Sequence, residues 1–153
     1  MKLDDLIKQL GASIGLPNLG LTDGSCRLVF DGNLPVDVEE AEEESQAHLL
    51  SNLGPLPQEA EEESRYYRRL LEANHFGRET GGMTLALVPS EGQFFLCGII
   101  SLGTVSLESF SKMLARFARE AHHWIVELES MSRDTPKSAP DADTPDLAGF
   151  IRV

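Results

Sequence analysis

The sequence contains two cysteines, few basic residues and no long hydrophobic run. Cys26 and Cys97 are too few and too far apart to build a metal cluster or a disulfide framework. We expect both to be small buried side chains. No apolar stretch approaches the roughly 20 residues that a membrane-spanning helix needs, and Asp4 and Asp5 lie where a secretion signal would be apolar. These absences predict a cytoplasmic protein that has no membrane partner.

The shortage of positive charge narrows the choice of partners further. The chain has 13 Lys and Arg against 25 Asp and Glu, which gives a formal net charge of −12 at pH 7. Such a chain is repelled by phosphate backbones and anionic lipid, so nucleic acid is excluded as a partner. Basic or apolar polypeptides suit it better. Its 153 residues are enough to bury one hydrophobic core.

Sequence motifs of catalysis and metal binding are missing as well. The chain has no phosphate-binding loop, no nucleophile elbow, no His-Glu-x-x-His and no Cys-x-x-Cys. His122 and His123 are adjacent on a predicted helix, so they point about 100° apart and cannot hold one ion together. The acidic run Glu39–Glu44 lacks the spacing of a calcium loop and is expected to be solvated. We therefore predict a protein without enzymatic activity, cofactor or metal.

The first half of the chain reads as one helix and three strands. Apolar residues at steps of three and four predict an amphipathic helix over residues 2–14. The stretch "CRLVFDGNLPVDVE" alternates on both sides of Asp31-Gly32-Asn33, which predicts a β-hairpin. A third strand is expected over "AHLLSNL", which ends at the breakers Gly54-Pro55.

The second predicted helix, over residues 58–73, ends at a polar pair of uncertain purpose. Asn74 and His75 could be a catalytic dyad or the end of the helix. His75 has no neighbour of catalytic type in the sequence, so capping is favoured. Asn74 is then expected in the left-handed conformation of a C-cap, with Phe76 packed against Leu70 or Leu71.

Two strands and a long helix follow. The strand "MTLALVP" alternates, whereas "QFFLCGIISL" is apolar on both faces, so something besides a helix must cover it. Ser106 is a plausible N-cap of the last helix. Its apolar stripe is expected to be core: Leu107, Phe110, Leu114, Phe117, Ala121, Trp124 and Leu128. Residues 133–153 are predicted to be a flexible acidic tail rich in Pro, Ser and Thr, because they contain little to bury.

This order of elements in a small acidic chain resembles the class I type III secretion chaperones, the Tir-chaperone-like family. The similarity covers about residues 1–130, and no single motif in it is specific. The segments that carry it are Leu3–Ile7, Cys26–Asp31, Leu49–Leu56, Leu70–Asn74, the strand entry Gly81-Gly82, and the last helix with Phe117 and Trp124. Glu39–Glu44 and the tail after Ser132 depart from the family pattern.

The resemblance implies an α+β fold in the order α-β-β-β-α-β-β-α, with a twisted antiparallel sheet packed with helices in a homodimer. Residues 1–132 would form this domain. The implied function is that of a bacterial cytoplasmic chaperone that binds the N-terminal segment of an effector protein, keeps it extended and promotes its export. It would also help to deliver the effector to the secretion ATPase. The alternative is a generic dimeric interaction or regulatory domain without a secretion role.

Two sets of apolar residues are candidates for these contacts. The predicted cargo-binding residues lie on the first helix and the hairpin: Leu3, Leu6, Ile7, Leu10, Ile14, Leu28, Phe30, Val36 and Val38. That the helix face is simply core remains the alternative, because amphipathic faces usually are. The predicted dimer interface lies on the second helix and the two-faced strand: Tyr66, Tyr67, Leu70, Leu71, Phe94, Phe95, Leu96 and Ile99.

Overall fold

The computed structural model describes residues 2–41 and 45–134 of the chain. The helices are α1 (Leu3–Ser13), α2 (Ala60–Asn74) and α3 (Leu107–Arg133), and the strands are β1 (Ser25–Phe30), β2 (Leu34–Glu40), β3 (Gln46–Pro55), β4 (Thr84–Val88) and β5 (Gln93–Ser101). The predicted α+β class and element order are confirmed. The second half of the acidic run, residues 42–44, lies outside the described residues, as does all of the predicted tail but its first two residues.

The five strands form one antiparallel sheet in the order β1-β2-β3-β5-β4, so β1 and β4 are its two edges. The hairpin predicted around Asp31-Gly32-Asn33 joins β1 to β2, with Leu28 opposite Val36. Asp31 and Gly32 both have positive φ, 50° and 77°, a conformation that aspartate and glycine adopt more readily than most residues.

Alternate residues of every strand face the helices and form the core. Leu49 of β3, Leu85 of β4 and Leu96 of β5 are buried on this face. The largest side chains with no exposed surface are Trp124, Phe94, Phe110 and Phe117. The intervening residues point to the other side of the sheet, which no helix of the described chain covers.

Helix α3 packs on the sheet and contributes more buried residues than either of the other helices. Ser106 caps its start, because the Ser106 hydroxyl oxygen accepts a hydrogen bond from the Ser109 N–H at 3.2 Å. The predicted stripe from Phe110 to Leu128 is buried and Leu107 is partly buried, which confirms the stripe as core.

Helix α2 packs beside α3 through aromatic and charged contacts. The Tyr66 hydroxyl donates to the Leu128 carbonyl oxygen at 2.9 Å, and its ring stacks on Phe94. The Arg69 guanidinium lies 4.9 Å from the Trp124 ring centroid and pairs with Glu127. These contacts place α2 over the β4 end of the sheet.

The end of α2 differs from the prediction. Asn74 is right-handed, with φ −68°, and the left-handed residue is Phe76, with φ 55°. The Asn74 amide instead bonds both backbone groups of Leu85, each at 2.9 Å. Phe76 is 83% exposed and does not pack on the leucines of α2. The capping prediction for Asn74 was wrong because an amide can satisfy a donor and an acceptor of a neighbouring strand, which local sequence does not reveal.

Candidate cargo groove and partner surfaces

The residues predicted to bind cargo divide into five that are almost completely buried and four that line a groove, of which Leu10 and Leu28 are each 8% exposed. Leu3, Leu6, Ile7, Val36 and Val38 are at most 1% exposed. They are core because α1 packs on α3 and this side of the hairpin faces the helices. In this conformation they offer no surface to a cargo. These five residues therefore match the alternative interpretation, in which the apolar face is core.

The other four, Leu10, Ile14, Leu28 and Phe30, are brought together around an open groove of about 350 Å³. We call this the α1 groove. It lies between the end of α1, strand β1 and the first half of α3. The rest of its apolar lining is Leu16, Leu19, Val29 and Leu114.

The rim of the α1 groove exposes an unusual amount of apolar surface. Ile14, Leu16 and Val29 are each more than half exposed. Isolated exposed hydrophobic residues are common, but a contiguous group around a concave surface marks a binding site. Leu16, Leu19 and Val29 were not among the predicted cargo contacts. The only signal for Leu16 and Leu19 was the apolar spacing of "GLPNLGL", which falls outside any helical or strand period, whereas Val29 lies in the predicted hairpin on the side opposite Leu28 and Phe30.

One wall of the groove depends on a glycine in α1. A Cβ atom at Gly11 would lie 2.6 Å from the Leu19 Cβ, far inside contact distance. The chain can therefore turn back after α1 and lay Leu19 against the helix only because position 11 lacks a side chain. The Leu16 N–H donates to the Gly11 carbonyl at 2.8 Å and holds this turn.

The loop after α1 is also held at its far end. The Leu21 N–H donates to Asp4 Oδ1 at 3.3 Å. Hydrogen bonds from Lys8 first, and from this N–H second, lower the pKa of Asp4. The acidic start of α1 thus positions the loop that carries Leu16 and Leu19.

The edge of β1 adds backbone groups to the site. Strand β1 pairs with β2 on one side, and no other strand of the described chain pairs with its outer edge. On the paired side, Arg27 of β1 donates hydrogen bonds to both carboxylate oxygens of Asp37 on β2, at 2.7 and 2.8 Å. An extended peptide could pair with this edge and place alternate side chains in the α1 groove.

The residues predicted to form a dimer interface also divide into two groups. The buried group lies in the chain's own core, between the sheet and helices α2 and α3, and consists of Tyr66, Leu70, Phe94 and Leu96. These are not surface residues. Tyr67 and Phe95 are half-buried, whereas Leu71 is 71% and Ile99 69% exposed.

The face of the sheet opposite the helices is apolar near its centre. Leu50, Phe95, Cys97 and Ile99 lie on this face, which we call the open sheet face. Burial raises the pKa of the Cys97 thiol, as its apolar strand predicted, so the thiol stays protonated near neutral pH.

Residues 2–41 and 45–134 include no helix with the length and apolar character needed to cross a membrane. Within the same ranges, no three His, Cys, Asp or Glu side chains are grouped as metal ligands would be.

Comparison with known proteins identifies the class of protein. Residues 5–125 match the model of the Tir chaperone protein (CesT) family, and the chain belongs to this family. The expected resemblance is confirmed, and the family is one of chaperones. A protein of Chlamydia pneumoniae is 28% identical over 127 residues, which are 82% of this chain and 95% of that protein.

Several solved structures that share this fold are complexes of two proteins. A chain of the ExsC–ExsE complex matches with a TM-score of 0.67 and 23% identity, over 84% of this chain and 97% of that one. A chain of the HopA1–SchA chaperone–effector complex matches with a TM-score of 0.65 and 16% identity, over 80% and 91%. The heterodimeric ExoU–SpcU complex from the type III secretion system of Pseudomonas aeruginosa gives 0.60 and 18%, over 84% and 98%. The fold expected from the resemblance is thus confirmed.

Proposed function

We propose that the protein is a type III secretion chaperone that binds the N-terminal segment of an effector in the α1 groove. It keeps that segment extended and soluble in the bacterial cytoplasm and promotes its export. The observation that carries this proposal is the open apolar groove beside an unpaired sheet edge, in a chain of the chaperone family.

The groove favours an extended, apolar cargo segment. Each aliphatic side chain that it fully buries contributes about 1.5–3 kcal/mol. Ordering a flexible segment costs about 2–5 kcal/mol, so a cargo must fill several positions and gain backbone hydrogen bonds at β1. The net charge of −12 attracts a basic cargo over long range and repels an acidic one.

A second copy of the chain would bind at the other edge of the sheet. Strand β4 is the far edge, α2 packs beside it, and Leu71 is exposed on α2. Phe95 and Ile99 of the open sheet face would contribute to the same interface. A stable dimer buries more than about 1,000 Å² in total, and this surface leaves the α1 groove free for cargo.

Delivery of the loaded cargo to the secretion ATPase belongs to the same proposal. The competing function is a dimeric interaction domain that exports nothing. Both would be acidic and dimeric, so only the identity of the bound protein separates them.

The separating experiment is affinity capture from the source bacterium with a tagged wild-type chain and two variants. Ile14→Asp places a charge in the α1 groove, and Val126→Asp places one at an exposed position of α3 that does not line it. We expect the wild type and Val126→Asp to retain a secreted protein through its N-terminal region and Ile14→Asp to lose it. Retention of a protein that is never exported would favour the competing function.

A further inference from the structure

A second concave surface lies at the far end of α3. Its volume is about 420 Å³, and it is enclosed by the end of β3, the connection to α2 and the last turns of α3. The apolar lining consists of Leu53, Pro55, Leu56, Pro57, Tyr66 and Leu128. We call it the α3-end cleft. It is separate from the α1 groove, because Leu114 and Leu128 lie roughly 20 Å apart along the helix.

Hydrogen bonds hold the backbone and side chains that form the cleft in place. The Leu56 N–H donates to the Gly92 carbonyl at 3.0 Å, and the Tyr66 hydroxyl donates to the Leu128 carbonyl at 2.9 Å. Glu62 and Glu129 contribute carboxylates to its lining, and Glu129 also pairs with Arg133 at 3.3 Å. Glu62 likewise pairs with Arg65 at 3.9 Å, so the cleft combines an apolar floor with a rim of paired charges.

The chain leaves the described structure at this rim. Ser132 lines the cleft, α3 ends at Arg133, and 19 further residues follow Asp134. The first part of this segment contains proline, threonine, serine and aspartate. Its last part, "LAGFIRV", carries Leu147, Phe150 and Ile151 with the positive charge of Arg152.

We propose that the α3-end cleft binds residues 147–152 of the same chain. Leu147, Phe150 and Ile151 supply apolar side chains for the floor of Leu56, Pro57 and Tyr66. The net charge of −12 of the chain favours the approach of Arg152.

The connection is long enough and keeps the ligand close. Thirteen residue steps separate Asp134 from Leu147, and a chain of that length can span up to about 45 Å. Its starting point is within one turn of Ser132. Because the segment belongs to the same chain, its contact with the cleft is intramolecular and needs less affinity than the same contact between separate molecules.

The first test is photo-crosslinking in the full chain. Phe150 is replaced by p-benzoylphenylalanine, and Ala139 is replaced in the same way as a matched control within the spacer. After irradiation we expect intrachain crosslinks from position 150 to residues 53–58 or 128–132, at several times the yield of the control. Crosslinks to the α1 groove, to a second copy, or at no more than the control yield would overturn the proposal.

The second test uses amide hydrogen exchange on the full-length double variant Phe150→Asp/Ile151→Asp. The double variant changes none of the described core residues, so we expect the fold to be preserved. We expect residues 54–58 to exchange several-fold faster than in the wild type, and the loop of Leu16–Leu19 to be unchanged. Equal exchange of residues 54–58 in the two proteins would contradict occupancy of the cleft.

Discussion

Asn74 joins two elements through a single side chain. Its amide NH₂ donates to the Leu85 carbonyl and its oxygen accepts from the Leu85 N–H, each at 2.9 Å. The pair attaches the end of α2 to the start of β4. His75, the next residue, is exposed, and its ring lies 4.6 Å from the Phe76 ring.

Replacing Asn74 therefore tests a structural role. Asn74→Ala leaves both backbone groups of Leu85 without their partners, so we expect a loss of about 1–3 kcal/mol in the free energy of unfolding. Asn74→Gly should lose a similar amount, because no left-handed cap is involved. Urea denaturation measures the change. His75→Ala is the control and should alter neither stability nor cargo binding; a wild-type midpoint for Asn74→Ala would contradict this assignment.

The reactivity of the Cys97 thiol reports on the environment of the open sheet face. Its pKa is raised above the ordinary 9.0 by burial, which favours the protonated thiol. Only the thiolate reacts with iodoacetamide, so labelling should be slow at pH 8 and should increase only as the pH passes 9. Site-resolved mass spectrometry on the native protein measures the rate. Faster labelling of Cys97 than of an unfolded-chain cysteine at pH 8 would show that the strand does not shield it.

At the scale of elements, the loop after α1 is the part of the α1 groove most sensitive to one methyl group. Gly11→Ala would place a Cβ 2.6 Å from the Leu19 Cβ, so the loop must move away from the helix. We expect a destabilisation of about 1–3 kcal/mol and weaker cargo binding.

The matched control for Gly11 lies in the same loop. At Gly20 an added Cβ meets nothing closer than 3.8 Å, so Gly20→Ala should leave both properties near wild type. Thermal unfolding and calorimetric titration of both variants provide the comparison. Equal behaviour of the two variants would show that Leu19 does not need its close contact with α1.

The elements were predictable because their signals are local. The hairpin follows from alternation around Asp31-Gly32-Asn33, and the start of α3 follows from Ser106 and a regular apolar stripe. The side chain partners of Asn74 were not predictable, because Leu85 is distant in sequence. Likewise the burial of Leu6, in contrast to the exposure of Ile14 on the same helix face, depends on where α3 crosses α1. Periodicity identifies an apolar face but not what covers it.

At the scale of the whole molecule, the sheet has two edges with different apolar neighbours. The β1 edge adjoins the α1 groove, and β4 contacts α2, the helix that exposes Leu71. The open sheet face lies between them. This arrangement allows one copy of the chain to bind a cargo and a second copy at the same time.

The proposed dimer interface can be tested by replacing its exposed apolar residues. Leu71→Asp/Ile99→Asp changes two exposed residues, so the fold should remain intact while the association constant falls by at least about tenfold. Light scattering over a micromolar concentration series measures the mass, and Val126→Asp is the control for an added surface charge. A wild-type chain that is monomeric at these concentrations would contradict the prediction.

The central claim is that cargo binds in the α1 groove, and calorimetric titration tests it most directly. The titrant is the N-terminal segment of the captured effector, added to wild type, Ile14→Asp and Val126→Asp. The account predicts that Ile14→Asp weakens binding at least about tenfold, because a charge replaces about 1.5–3 kcal/mol of apolar burial. Its circular dichroism and unfolding midpoint should stay near wild type, and Val126→Asp should bind as the wild type does. Wild-type affinity in a folded Ile14→Asp variant would contradict the claim.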